Sequence, residues 1–162
     1  MKKLLLLSSI FFSLFFGCTE TKKEEHKIEV DNTEHKHEKE KLPLENIANN
    51  NWINDIKLDS GNKWAANIET TNGVNAMLNK INESSLNSVD DYLALANKLN
   101  VEKNTLVKEC TMTGSSHDNL HIFLHPLIEK INHLSNTTST NEGSEITKSI
   151  TENLNAYFNY FN

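Results

Sequence analysis

The sequence predicts an all-α protein: an up-down-up-down four-helix bundle, preceded by a small irregular or hairpin extension and a disordered tether. Two observations carry that prediction. Four segments between Thr70 and Phe161 repeat their apolar residues at three- and four-residue intervals, the period of a helix with one buried stripe. The stretches between them are short, which favours antiparallel neighbours. The expected organisation is residues 1–17 as a signal segment, 18–41 as a lipidated cysteine and charged tether, 42–68 as the extension and 69–162 as the bundle.

At the N-terminus, Lys2 and Lys3 precede an apolar run from Leu4 to Phe16 that ends at Gly17-Cys18. A charged start, a short apolar middle and a small residue describe a secretory signal. The run is shorter than the ~20 apolar residues that span a bilayer. A cysteine directly after the small residue resembles the bacterial lipobox, although Phe15 stands where leucine is commonest and Leu14 lies one place early. The resemblance implies that Cys18 becomes the diacylated first residue of the mature chain. Thr19 is not the aspartate that holds many lipoproteins on the inner membrane, so the expected address is the outer membrane, facing the periplasm.

Thr19 to Lys41 mixes Lys and Glu with almost no apolar residues, too little to offset the entropy of ordering. It reads as a solvated tether. His26, His35 and His37 lie in it, as a weak metal-attracting tract or simply as part of a charged spacer. The chain of 162 residues has net charge −6 and no arginine, which excludes a nucleic-acid footprint.

In the extension, Ile56 and Leu58 alternate with polar residues before Asp59-Ser60-Gly61-Asn62, a cluster suited to closing a small hairpin that leads to Trp64. The first helix, from about Thr70 to Glu83, carries Val74, Met77, Leu78 and Ile81 on one stripe. Ser88 and Asp91 form a capping box for the second helix, whose seam is Tyr92, Ala96, Leu99, Leu106 and Cys110. Gly114 suits the left-handed position that stops a helix, and Ser115 with Asp118 suits the cap of the next. The third helix repeats Leu120, Leu124, Leu127, Ile131 and Leu134, with Pro126 expected to bend it. Extended backward, that rhythm reaches His117, with His121 one turn on, His125 toward the flank and His133 on the wet side. Ile146, Ile150, Leu154, Tyr157 and Phe161 mark the fourth helix.

Up-down topology places the start of helix one, the end of helix two, the start of helix three and the end of helix four at one pole. Met77, Cys110, Met112, His117, His121 and Tyr157 are therefore expected to converge there, with Trp64 covering them. Because Cys18 is assigned to lipid, Cys110 has no disulfide partner in a compartment that favours disulfides. It is then buried, intermolecular or ligated. Thiolate, thioether and imidazole together select Cu(I), with Zn(II) close behind. The candidate metal ligands are Cys110, Met112, His117, His121 and Met77, and the expected role is binding or buffering of the ion. The alternative for each is core packing.

The segments Lys63-Trp64-Ala-Ala-Asn67-Ile-Glu69-Thr70, Cys110-Thr-Met112-Thr-Gly114 and His117-Asp-Asn-Leu120-His121 resemble those of a family of small lipoproteins from Gram-negative bacteria. The resemblance spans roughly Ile56 to Phe161. It implies a shared bundle pole without identifying the ligand there.

Other classes remain in competition. An envelope protein that presents its surface to a protein partner, without metal, is the main rival. A noncovalent haem site could use His117 or His121 with Met77, whereas covalent haem lacks its C-x-x-C-H. Di-iron chemistry lacks the paired inward glutamates. The run Ser115, Ser116, His117, Asp118 is better explained as helix capping than as a catalytic triad, and no enzyme is expected.

Overall fold

The extension, expected as irregular or a hairpin, folds as two short helical turns and a tight reversal that closes at Asp59 and Asn62. The computed structural model describes residues 44–162; the signal segment, Cys18 and the tether with His26, His35 and His37 lie outside the described residues. The elements are α1 (Leu44–Ala48), a 3-10 turn (Asn51–Asn54), α2 (Ile68–Asn82), α3 (Val89–Glu109), α4 (Gly114–Leu134) and α5 (Thr140–Tyr160). Where a hairpin was expected, Asp59 and Asn62 pair across a two-residue reversal in which Ser60 (φ 51°) and Gly61 (φ 90°) both turn left-handed. No helix among the described residues is long and apolar enough to cross a membrane.

The four long helices follow the predicted seams. Along α2, Val74 and Met77 are fully buried, and along α3 so are Ala96, Leu99 and Leu106, joined by Leu95, which the predicted seam did not include. Ser88 and Asp91 make the expected box: the Asp91 N–H donates to Ser88 Oγ at 3.3 Å, and the Ser88 N–H donates to Asp91 Oδ2 at 2.9 Å. In α4, the predicted Leu120, Leu124, Leu127, Ile131 and Leu134 all point inward, joined by Phe123. The helix runs on through Pro126 without a break to Leu134. Ser139 caps α5, where Ile146, Ile150, Leu154 and Tyr157 are completely buried.

α2 packs chiefly on α3 and α4 on α5, while contacts between α3 and α4 and between α2 and α5 close the ring. At the pole named above, Asn67 Nδ2 donates to the Glu109 carbonyl at 3.1 Å, tying the start of α2 to the end of α3. The Trp64 N–H donates to the Tyr160 carbonyl at 2.8 Å, and the Asn162 N–H returns a bond to Trp64 at 3.1 Å. The Lys57 N–H donates to Asn119 Oδ1 at 3.0 Å and brings in the first turns of α4.

Two polar side chains are covered, His133 against expectation and Lys130 without any signal in the sequence reading. His133 is not on a wet face: its Nε2 lies 3.1 Å from Glu142 Oε1, with both side chains largely covered. Lys130 is 1 % exposed, inside the core stripe of α4. Its Nζ donates to Asn153 Oδ1 at 2.9 Å and to Asn50 Oδ1, and the Trp52 indole N–H also donates to Asn50 Oδ1, at 3.1 Å. Asn50 Nδ2 donates to the Ser149 carbonyl at 3.3 Å, and Ser149 Oγ donates to the Ala48 carbonyl at 2.6 Å. A lysine buried against neutral amides thus fastens the extension to α4 and α5. Desolvation holds its ammonium down to a pKa of about 8, with Glu152 and Glu129 opposing the shift.

Candidate functional site: the corner between α3 and α4

The link from α3 to α4 is Cys110-Thr111-Met112-Thr113, four residues long. Its backbone is extended at both ends, Cys110 at φ −67°, ψ 122° and Thr113 at φ −142°, ψ 162°. Gly114 takes the predicted left-handed conformation at φ 63°, but as the first residue of α4 rather than as the stop of α3. Ser115 and Asp118 do not cap α4: Thr113 occupies the N-cap position and makes no side-chain cap bond.

This geometry sets the depth of each sulfur. Cys110 leaves the α3 seam at the helix end and is half-buried, a free thiol packed on the rim of the core. Met112 is likewise half-buried against the same cluster. From the end of α5 an aromatic cluster runs into the core. Tyr157 stacks on Phe161 with centroids 4.8 Å apart, Phe123 lies 5.3 Å from Tyr157, and Trp52 packs edge-on to Phe123 at 5.6 Å. The Tyr157 hydroxyl meets Thr71 Oγ1 at 2.9 Å. Burial pushes the Tyr157 phenol above its usual range; the Thr71 bond opposes this, and the nearby Cys110 adds to it. Cys110 is thus near enough to Tyr157 to act on it electrostatically, although no hydrogen bond joins them. Trp64 packs half-buried at the same end, with its indole N–H on the Lys57 carbonyl at 2.6 Å.

The remaining candidates separate. Met77 is fully enclosed in the hydrocarbon core. Nine residues beyond the start of α2, it sits about 14 Å along the axis at 1.5 Å per residue. It is a packing residue there, not part of the corner. His117 is half-buried and His121 exposed. The reason is angular: the buried stripe of α4 runs through Leu120 and Leu124, and a residue one position later is rotated ~100° from it. His121 and His125 each follow a stripe leucine, so both stand on the flank.

On that flank the imidazoles form a column. The His117 and His121 rings are 4.4 Å apart between centroids, and those of His121 and His125 are 5.0 Å apart. His121 Nδ1 and His125 Nε2 approach to 3.2 Å, so one ring donates to the other. Partial desolvation holds the His121 imidazole below its usual pKa; charge on His117 and on His125 adds to this, and Asp118 opposes it. Neutral rings with a lone pair are the form that ligates metal. Among the described residues, no three or more His, Cys, Asp or Glu side chains already form a group able to hold a metal ion. No protein-family model, curated protein or solved structure matches the chain.

Proposed function

We propose that the chain is a lipid-anchored protein of the bacterial cell envelope that binds or buffers a transition metal, Cu(I) or Zn(II), at the corner between α3 and α4. The observation that carries this reading is one juxtaposition. A thiol and a thioether stand half-exposed in a four-residue link that opens directly into the helix bearing three neighbouring imidazoles. Soft sulfur and borderline nitrogen donors suit Cu(I) and Zn(II) and reject Mg(II) and Ca(II). Cys110, Met112, His117 and His121 are the ligands drawn on, and Met77 lies too deep to join them.

The anchor in this reading is Cys18, which follows Gly17 at the end of the apolar N-terminal run. Two or three acyl chains at ~0.8 kcal/mol per buried methylene hold a protein stably at a membrane surface. The expected face is the outer membrane toward the periplasm, in keeping with the resemblance to Gram-negative lipoproteins. The role is storage or handover of the ion rather than catalysis.

The test is an anaerobic titration of the full chain in detergent with Cu(I), read by competition with a chromophoric chelator, and a separate one with Zn(II). Submicromolar uptake of one ion, weakened roughly tenfold or more by Cys110→Ala, is the expected result; tenfold corresponds to about 1.4 kcal/mol. Uptake at micromolar affinity or weaker, unchanged by Cys110→Ala, removes the reading. A Soret band surviving gel filtration assigns the chain to haem instead.

A further inference from the structure

The α4 flank holds one imidazole that the sequence pattern assigned no ligand role. His125 repeats His121 at a four-residue spacing, so the two rings stack along one helix face. Their facing nitrogens, His121 Nδ1 and His125 Nε2, are 3.2 Å apart. That is the span of two ligands on a single ion: with metal–nitrogen bonds of about 2.0–2.1 Å, it subtends an angle of about 100° at the metal, between square-planar and tetrahedral values.

We propose that His121 and His125 form a two-imidazole clamp for one borderline divalent cation, Zn(II) or Cu(II), on the solvent flank of α4, with His117 supplying a third nitrogen by side-chain rotation. The proposal rests on the reading of the α3–α4 corner as a transition-metal site and places an imidazole pair further along α4, separate from the sulfurs at Cys110 and Met112. Both clamp residues are exposed, so water fills the remaining coordination positions and an incoming ion meets no barrier of packed side chains. His117, half-buried and with its ring 4.4 Å from that of His121, is one helical turn from the ion. Asp118 is the nearby carboxylate that acts on His121 and offsets the charge an ion brings.

The step balances without a redox partner. In the unliganded pair one ring donates its N–H to the lone pair of the other. Binding requires the donor ring to move that proton to its second nitrogen through solvent, and both rings to turn their lone pairs from each other toward the ion. Where one ring is protonated, one proton leaves to solvent per ion bound, so affinity falls on acidification.

The test uses the full chain in detergent, with His26, His35 and His37 replaced by Gln so that tether imidazoles do not contribute. Zn(II) is titrated against a competing chelator, and the imidazole nitrogens are followed by long-range 15N NMR. The expected result is one Zn(II) per chain, shifts at His121 Nδ1 and His125 Nε2, and a loss of roughly tenfold or more on His125→Gln or His121→Gln. Circular dichroism of each variant verifies the fold. Zn(II) affinity unchanged by His125→Gln, or shifts confined to other rings, overturns the clamp. The two arms fail separately. Zn(II) binding lost on His125→Gln but indifferent to Cys110→Ala keeps the clamp while removing the thiolate ligand, and Cu(I) binding lost on Cys110→Ala but indifferent to His125→Gln does the reverse.

Discussion

Lys130 donates to Asn153 at 2.9 Å from a side chain only 1 % exposed, with amide oxygens rather than a carboxylate as its hydrogen-bond acceptors. A lysine kept in that setting carries a desolvation penalty that three hydrogen bonds at most can offset. The pKa of about 8, against 10.5 for the free side chain, records it. Below about pH 8 both folded and unfolded chains hold the proton, and the folded state bears the full penalty. Between about 8 and 10.5 the unfolded chain binds more protons than the folded one, so the Lys130 contribution rises with pH by about 3 kcal/mol. Urea denaturation at pH 7 and pH 10 should therefore show wild type gaining on Lys130→Met as pH rises. Parallel pH curves for the two proteins contradict the assignment.

Gly143 illustrates how closely α5 approaches α3. A Cβ placed there meets the ring of Tyr92 at 2.5 Å, and one placed at Gly73 meets Leu106 Cβ at 2.8 Å. In an open helix, Gly→Ala stabilises by ~1 kcal/mol. Here the sign reverses, and Gly143→Ala should destabilise by about 1–3 kcal/mol through overpacking. A midpoint in urea shifted downward with an unchanged slope is the expected readout, and a midpoint shifted upward refutes the close approach.

Tyr157→Phe isolates the bond between its hydroxyl and Thr71, which ties the start of α2 to the end of α5. Its loss should cost about 1 kcal/mol, more than a surface hydroxyl contributes, because Thr71 is left without its partner. The phenol pKa also lies above its free value of 10.0. Stability linked to the protonated phenol is thus fully present below pH 10 and is lost as pH rises through the folded pKa. Tyr157→Phe lacks that alkaline decline. Equal stability of wild type and variant at pH 7 rules out a structural role for the bond.

The pattern of residues revealed most of the bundle because its seams are local. Val74 and Met77, Ala96 and Leu99, Leu127 and Ile131 lie three or four positions apart, and the helix period alone sorts them inward. The Ser88–Asp91 box was legible for the same reason, since both partners fall within one turn. Lys130 was not. It falls outside the leucine rhythm of α4, and its partners Asn50 and Asn153 are 80 and 23 residues away. His133 was misplaced on the wet side because its partner Glu142 lies across the turn into α5. The pole assembled from topology did bring Cys110, Tyr157 and Trp64 to one end. Helix length nevertheless carries Met77 away from it, and a rotation of one residue puts His121 on the flank. His125 had a signal in sequence, its four-residue spacing from His121, which the leucine rhythm obscured.

Whether the proposed metal site unites Cys110 with His121 is read from X-ray absorption at the copper edge of the Cu(I)-loaded full chain. The expected spectrum has both sulfur and imidazole nitrogen in the first coordination shell, with the sulfur contribution reduced by Cys110→Ala and the imidazole contribution reduced by His121→Gln. A shell of nitrogen and oxygen alone, identical in wild type and Cys110→Ala, would contradict it.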